Sequence, residues 1–375
     1  MKITKIETVK TRPIPYPAPY KPAWIEPGGE PQPSYTAQFL KVHTDEGIVG
    51  YGPVSREVSE ASRNFLIGSD PFKIESFWDI AMRGGEPAAH RGANGGLDVA
   101  LWDIIGKAAS LPVYKLLGAR TDKIKVYAAT SRLLPAEELV EEISHIASVG
   151  FKAVKIRFHR PDWRDDIKVA EAVRKAFPDM TILVDCNQNN VSPGYSYWSW
   201  DTALTVGRAM RDLGVYILEE PLPLRDLDGL KMMSDTFDTP LISGGEHATC
   251  IYDYKEHLSK GTFDVYQPDL IIGDMGISGI RKFGHIAEYY GKMIVPHVSL
   301  GGNFAMSFPA AAAAVAGLSN CPILEFNYDP PFLTEESQFF FVKEKPRVDA
   351  DGCIRLSQKP GIGVEIDEEA LSKYL

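Results

Sequence analysis

Between residues 124 and 326, short apolar strands alternate with amphipathic helices, and this rhythm constrains the fold more than any other feature of the chain. The segment Ala136–Val149 places Leu139, Ile143 and Ala147 on one helical face, meets Gly150, and leads at once into a strand around Val154. The plan repeats. A helix over 166–177 precedes TILVD, a helix over 201–213 stops at Gly214 before YILEE, and a helix ending at Gly291 precedes KMIVPH. Strands centred near Val126, Ile156, Val184, Leu218, Ile242, Tyr266, Ile294 and Leu324 number eight, which closes a parallel barrel. A doubly wound open sheet would carry a Gly-rich phosphate turn after its first strand, and none follows Val126.

A barrel uses about 250 residues, so a chain of 375 has room for a companion domain. Residues 1–123 supply it as an α+β unit. ITKIETVKT and AQFLKVHTDEGIVGYGPV read as strands joined by a Pro-rich stretch over 13–33, and GLDVALWDIIGKAASLPVYKLL is helical until Gly118 stops it. Residues 124–326 form the barrel. Residues 327–375 lose the βα rhythm and are expected to pack back onto the first domain.

The net charge of −10 argues against nucleic acid or an anionic membrane as a partner, because both require a basic face. No run of about 18 apolar residues occurs, and no charged start with an apolar stretch opens the chain, so a cytoplasmic location is expected. Cys186, Cys250, Cys321 and Cys353 lack C-x-x-C spacing and read as reduced packing residues.

In a parallel barrel the residues at the C-terminal strand ends converge on one mouth. The third strand ends in LVDCNQ with Asp185, the fourth in ILEEP with Glu219 and Glu220, and the fifth in ISGGEH with Glu246. One such acid alone is more often a helix N-cap or a rim ion-pair partner. Three in register repel one another unless a cation neutralises them, and an all-oxygen set suits Mg²⁺ better than zinc or copper. Alternation along the fourth strand sends only one of Glu219 and Glu220 to the mouth, and spacing does not choose between them.

The second strand, KAVKIRFH, sets Lys155 and Arg157 on the same side. Lys155 can meet a substrate carboxylate, whereas Arg157 stays protonated and is a poor base. The sixth strand ends in YQPD with Asp269 and the seventh in IVPH with His297, an acid beside an imidazole. A carboxylate on one ring nitrogen fixes the tautomer and makes the other nitrogen a general base. His247, next to Glu246, is placed to bind substrate or steady the loop, and His159 to line the rim. Glu325, ending the eighth strand in PILEFN, would donate a hydrogen bond to an enolate oxygen if an apolar site kept it neutral. Such a set fits abstraction of a proton beside a carboxylate, which requires stabilising a doubly charged intermediate.

Taken in order along the chain, these motifs resemble the enolase superfamily, within it the mandelate racemase/muconate lactonizing enzyme family and its acid-sugar dehydratase-like members. The resemblance covers nearly the whole chain. It implies a modified TIM barrel, (β/α)7β, with an α+β N-terminal capping domain completed by the C-terminal tail. It also implies Asp185, Glu219 and Glu246 as Mg²⁺ ligands, so the family pattern selects the first acid of the Glu219–Glu220 pair. Asp269 and His297 look like the family's dyad and Glu325 like its electrophilic acid, while Asn187 matches a substrate-contacting asparagine. Trp24, in a capping loop over 15–33 that also holds Tyr16 and Tyr20, would close over the mouth. The usual K-x-K of the second strand is Lys155-x-Arg157 here, so the base for the opposite face of the substrate is missing. Dehydration of an acid sugar to a 2-keto-3-deoxy acid with His297 as base is therefore the leading expectation. Racemisation or epimerisation of a hydroxy acid comes second, and a non-catalytic, metal-stabilised barrel binding sugar acids third. Arg157 would bind a distal carboxylate or hydroxyl. The family also implies a homo-oligomer, a tetramer or octamer. The aromatic residues Tyr195, Tyr197, Trp198 and Trp200 after the third strand would wall the pocket or a subunit contact.

Overall fold

A computed structural model describes residues 1–25, 28–83, 93–189, 196–248, 250–299 and 301–375. The N-terminal sheet is antiparallel, in the order β1 (Ile3–Lys10), β4 (Gln38–Thr44), β5 (Val49–Pro53), and a hairpin of β2 (Ile14–Tyr20) and β3 (Gln32–Tyr35) interrupts it. Phe39, Leu40 and Val42 of β4 are fully buried. The helix Asn94–Ala108 is apolar nearly all round because it is sandwiched between this sheet and the barrel helix Gly276–Tyr289. Burying Leu97, Leu101 and Ile104 there contributes about 1.5–3 kcal/mol each.

The larger domain is a barrel of eight parallel strands. They are β6 (Lys123–Ala129), β7 (Ala153–Arg157), β8 (Thr181–Asp185), β9 (Ile217–Glu219), β10 (Leu241–Gly244), β11 (Val265–Tyr266), β12 (Met293–Ile294) and β13 (Leu324–Asn327). A helix follows each strand up to β12, giving (β/α)7β. The ladder runs from β12 round to β6 and on to β13. Between β12 and β13 the wall is closed by Ile294 N–H to Asn320 O (3.0 Å), Asn327 Nδ2 to Val298 O (2.8 Å) and Val298 N–H to Glu325 Oε2 (2.9 Å).

Strand parity explains why one barrel has an apolar floor and a charged mouth. Ala153, Leu183, Ile217 and Ile323 fill the interior with Tyr127, Val265 and Val295. Two residues further along the same strands, on the same side, come Lys155, Asp185, Glu219 and Glu325. The pairings Arg157↔Asp185 and Asp185↔Glu219 fix the relative height of these groups.

The C-terminal segment packs on both domains. Its strand β14 (Cys353–Arg355) pairs antiparallel with β6, Phe341 stacks on Phe39 with ring centroids 5.3 Å apart, and Tyr374 O accepts from Arg12 N–H at 2.7 Å. Among the described residues no helix is long and apolar enough to cross a membrane.

The contact between β5 and the helix Asn94–Ala108 is backbone against backbone. A Cβ on Gly96 would stand 1.8 Å from Pro53 O, and one on Gly52 would stand 2.0 Å from Gly96 O. Gly96→Ala should force the sheet and helix apart and cost about 1–3 kcal/mol. The check is the urea unfolding midpoint, and an unchanged midpoint would contradict this packing.

Candidate active site

At the mouth, Lys155 Nζ lies 2.9 Å from Glu219 Oε2, 2.7 Å from Glu325 Oε1 and 4.0 Å from Asp185 Oδ2, all of them buried. Burial opposes the Lys155 ammonium, but Glu219 and Glu325 outweigh it and hold its pKa well above the usual lysine range. Arg157 donates from Nε to Thr130 O at 2.7 Å and from Nη1 to Asp185, and its guanidinium carbon lies 5.4 Å from the centre of the Trp24 ring. The guanidinium therefore links Asp185 of the barrel to Trp24 of the capping domain.

Glu325 corrects an expectation. An apolar site was to keep it neutral. Here its Oε2 accepts the Val298 N–H and its Oε1 faces Lys155, so it is held as a carboxylate. Burial works against that charge, but Lys155, His297 and Arg157 prevail and lower the pKa.

Alternation along the fourth barrel strand also fails at its end. The strand stops at Glu219, whose carboxyl meets Lys155, and Glu220, with φ of 45°, brings its own carboxyl toward His247. Burial, with Asp185, Glu325 and Glu246 adding to it and Lys155 opposing, lifts Glu219 to about 7. Burial and then Glu246 push Glu220 well above the carboxylate range. Asn189 Nδ2 donates to Glu220 Oε1 at 2.5 Å, while the buried Oε2 has no hydrogen-bond partner. His247 Nε2 lies 3.2 Å from Glu246 Oε1 and 3.9 Å from Glu220 Oε1, and ligand atoms of Glu220, Glu246 and His247 all fall within 4.8 Å of one another. Asp185 and Glu219, by contrast, are drawn to Arg157 and Lys155. This grouping differs from the expected ligand set. An all-oxygen set of Asp185, Glu219 and Glu246 would match a hard cation, and the Asp185↔Glu219 pairing places two of these acids side by side. The residues fit such an ion: burial and the neighbouring Asp185, Glu325 and Glu246 lift Glu219 to about 7, so the crowded acids call for a positive charge, while the orphaned oxygen belongs to Glu220, outside that set.

His297 Nδ1 lies 2.7 Å from Asp269 Oδ2, which also accepts from Ser299 Oγ at 2.8 Å. Asp269 Oδ1 accepts the N–H groups of Ile271 and Ile272, each at 2.6 Å, so the carboxylate is fixed on every side. The other imidazole nitrogen lies 3.5 Å from Glu246 Oε2. Burial opposes the imidazolium, yet Glu246, Glu325 and Asp269 together lift His297 to about 10. Asn187 donates through its backbone N–H (2.8 Å) and Nδ2 (3.1 Å) to Asp185, holding that acid in place.

Some of these groups border a cavity of about 320 Å³. Trp24, Arg157, Asn187, Glu246, His247 and His297 line it, as do Ser55, Ile271, Ile272, Ser299 and Asn303, which sequence reasoning missed. Ser299, two residues beyond His297, could have been found by strand parity. The others lie on loops whose paths no periodicity encodes. Several expected residues stand elsewhere. His159 is fully buried away from the rim, its Nδ1 2.8 Å from Ala23 O. Tyr16 and Tyr20 pack with Phe332 and Leu333, and Tyr20 Oη donates to Ser131 Oγ at 2.7 Å, so they anchor the hairpin rather than line the cavity. Tyr197, Trp198 and Trp200 do not border it, and Tyr195 lies outside the described residues.

Lys155→Met would leave the buried Glu219 and Glu325 without their shared cation. Stability should fall by about 3–5 kcal/mol, read as a lower urea midpoint, and an unchanged midpoint would show that Lys155 does not neutralise them.

The family model described as "Enolase C-terminal domain-like" matches residues 138–370, and that for the mandelate racemase / muconate lactonizing enzyme N-terminal domain matches residues 31–118. A D-galactonate dehydratase from Variovorax paradoxus is 30% identical over 400 aligned positions, covering 99% of this chain and 94% of the relative. An arabinonate dehydratase from Saccharolobus solfataricus is 28% identical, covering 89% of each chain. The crystal structure of L-talarate dehydratase from Polaromonas sp. JS666, complexed with Mg and L-glucarate, superposes with a TM-score of 0.82 at 25% identity, covering 100% of this chain and 97% of that one. The chain belongs to the mandelate racemase / muconate lactonizing enzyme family of the enolase superfamily.

Proposed function

We propose that this chain dehydrates a sugar acid to a 2-keto-3-deoxy acid in a Mg²⁺-dependent reaction, with His297 as the base. The observation that carries the proposal is the 2.7 Å Asp269–His297 pair opening onto the carboxylate chamber. Two curated relatives that are themselves dehydratases of sugar acids support the reaction class.

Asp185, Glu219 and Glu246 would hold the ion. When bound, Mg²⁺ supplies positive charge that stabilises the charge developing on the substrate carboxylate as its neighbouring proton leaves. Lys155 adds a second counter-charge to the same carboxylate. His297 is raised chiefly by the charge of Glu246, so a cation held by Glu246 would leave the imidazole neutral and able to take the proton at Nε2. Asp269, held by Ser299 and two backbone amides, fixes the tautomer and stabilises the imidazolium. The imidazolium returns that proton to the β-hydroxyl as the C–O bond breaks. Water leaves, and the resulting enol tautomerises to the 2-keto acid. Glu325 stands across the chamber as the electrophilic acid and donates only once protonated, which requires Lys155 to turn from it toward substrate.

Racemisation needs a second base on the opposite face of the substrate. Where the family's K-x-K carries its second lysine this chain has Arg157, a poor base, which favours dehydration over the racemase reading.

With a panel of sugar acids and Mg²⁺, a 2-keto acid assay should register product that EDTA stops and added Mg²⁺ restores. His297→Asn should lower kcat by at least about 100-fold. Undiminished turnover by that variant would remove His297 as the base, and α-proton exchange in D₂O without keto acid would favour epimerisation.

A further inference from the structure

A second buried cluster of charges stands where the capping domain meets the barrel, just past the end of β6. Arg132 donates from Nε (3.0 Å) and Nη2 (2.7 Å) to Asp329 Oδ1, and from Nη2 also to Pro330 O (2.8 Å) and to Glu142. Asp329 is fully buried, and Arg132 is not among the residues that border the cavity. Burial, followed by Asp329, pushes the Glu142 carboxyl well above its usual range, so the guanidinium charge is matched chiefly by Asp329.

The other oxygen of Asp329 leads into the capping domain. Oδ2 accepts from Ser131 Oγ, and Ser131 Oγ in turn accepts from Tyr20 Oη at 2.7 Å. The Ser131 carbonyl accepts the Ala23 N–H at 2.7 Å, and Pro22 pairs with Arg132 as an antiparallel bridge. Phe332 gives a second route, its ring centre lying 4.9 Å from the Arg132 guanidinium carbon and 5.2 Å from that of the Tyr20 ring. Trp24 follows Ala23 directly, in the short turn Ala23–Ile25, and borders the cavity.

A carboxylate buried without a cation is strongly unfavourable, and hydrogen bonds linked in series through a charged acceptor strengthen one another. With Arg132 on Oδ1, Asp329 keeps its negative charge for the Ser131 hydroxyl, and the Ser131 oxygen is left to accept from Tyr20. The series fixes the chain one residue before Trp24. A side chain on a cavity wall that is already in place spares the substrate the entropy cost of ordering it on binding.

We infer that Arg132 is a positioning residue: through Asp329, Ser131 and Tyr20 it holds the capping chain against the barrel and so sets Trp24 at the cavity for substrate to meet. The kinetic half of the test rests on the dehydration reading, and the exchange half does not. In hydrogen exchange on the full-length protein, Arg132→Gln should speed exchange of the Ala23 amide by about tenfold or more, while amides of β7 and β8 keep their rates. With Mg²⁺ and whichever sugar acid of the panel is turned over, Arg132→Gln should raise KM by about tenfold and leave kcat within about twofold, because binding is lost rather than chemistry. In a Trp24→Ala background the same substitution should raise KM no further, since both act through one side chain. Should Arg132→Gln fail to fold, Tyr20→Phe, which keeps the ring and removes the hydroxyl link, should show the same pattern at about threefold. Unchanged exchange at Ala23, an unchanged KM, or KM effects that multiply in the double variant would overturn the inference and leave dehydration standing. Turnover of no sugar acid would sink the dehydration reading, and exchange at Ala23 then decides the positioning role by itself.

Discussion

Like charges delivered to one small space by the ends of parallel strands are the constraint around which this site is built. Two unit charges 4 Å apart interact by about 4 kcal/mol at an effective dielectric of 20, so Asp185, Glu219, Glu220, Glu246 and Glu325 cannot all be ionised together without cations. Lys155 and Arg157 meet part of that demand from the neighbouring strand, and His247 and His297 meet more of it. The pressure that remains appears as raised pKa values on Glu219 and Glu220 and as a buried carboxyl oxygen without a partner. A divalent ion is the economical answer, and the same ion is what the proposed chemistry requires.

The capping domain is tied to that chamber rather than laid loosely over it. Backbone approach at Gly52 and Gly96 locks its sheet to the helix Asn94–Ala108, which in turn lies on the barrel. Tyr20 donates to Ser131, the Ala23 N–H donates to Ser131 O, and Ala23 O meets His159. Those contacts anchor the backbone just before Trp24, whose ring lies on the Arg157 guanidinium. The cavity wall is thus contributed from both domains, while Asp269 and His297 come from the barrel alone.

Strand parity made much of this legible in the sequence. Lys155 and Arg157 two apart, with an acid ending each of the next strands, predicted one shared mouth, and the pairing of Arg157 with Asp185 and of Asp185 with Glu219 is the register behind it. Parity holds only while the backbone is extended, so it misjudged Glu220, whose left-handed backbone lies just past the strand end. Burial alone also misjudged Glu325, because the same mouth supplies Lys155 as its partner. Ser55, Asn303 and the Ile271–Ile272 pair stand on loops placed by tertiary packing, and no local pattern marks them. The β14 strand on β6 was hidden for a similar reason: three residues with no alternation of their own gain their identity from the edge they meet.

The central claim is that acids from successive strands hold one divalent ion beside His297, and anomalous diffraction from crystals grown with Mn²⁺ tests it most directly. The account predicts a single peak bounded by the carboxylates of Asp185, Glu219 and Glu246. A peak held by Glu220, Glu246 and His247, with Lys155 still on Glu219 and Arg157 still on Asp185, or no peak in the chamber at all, would contradict it.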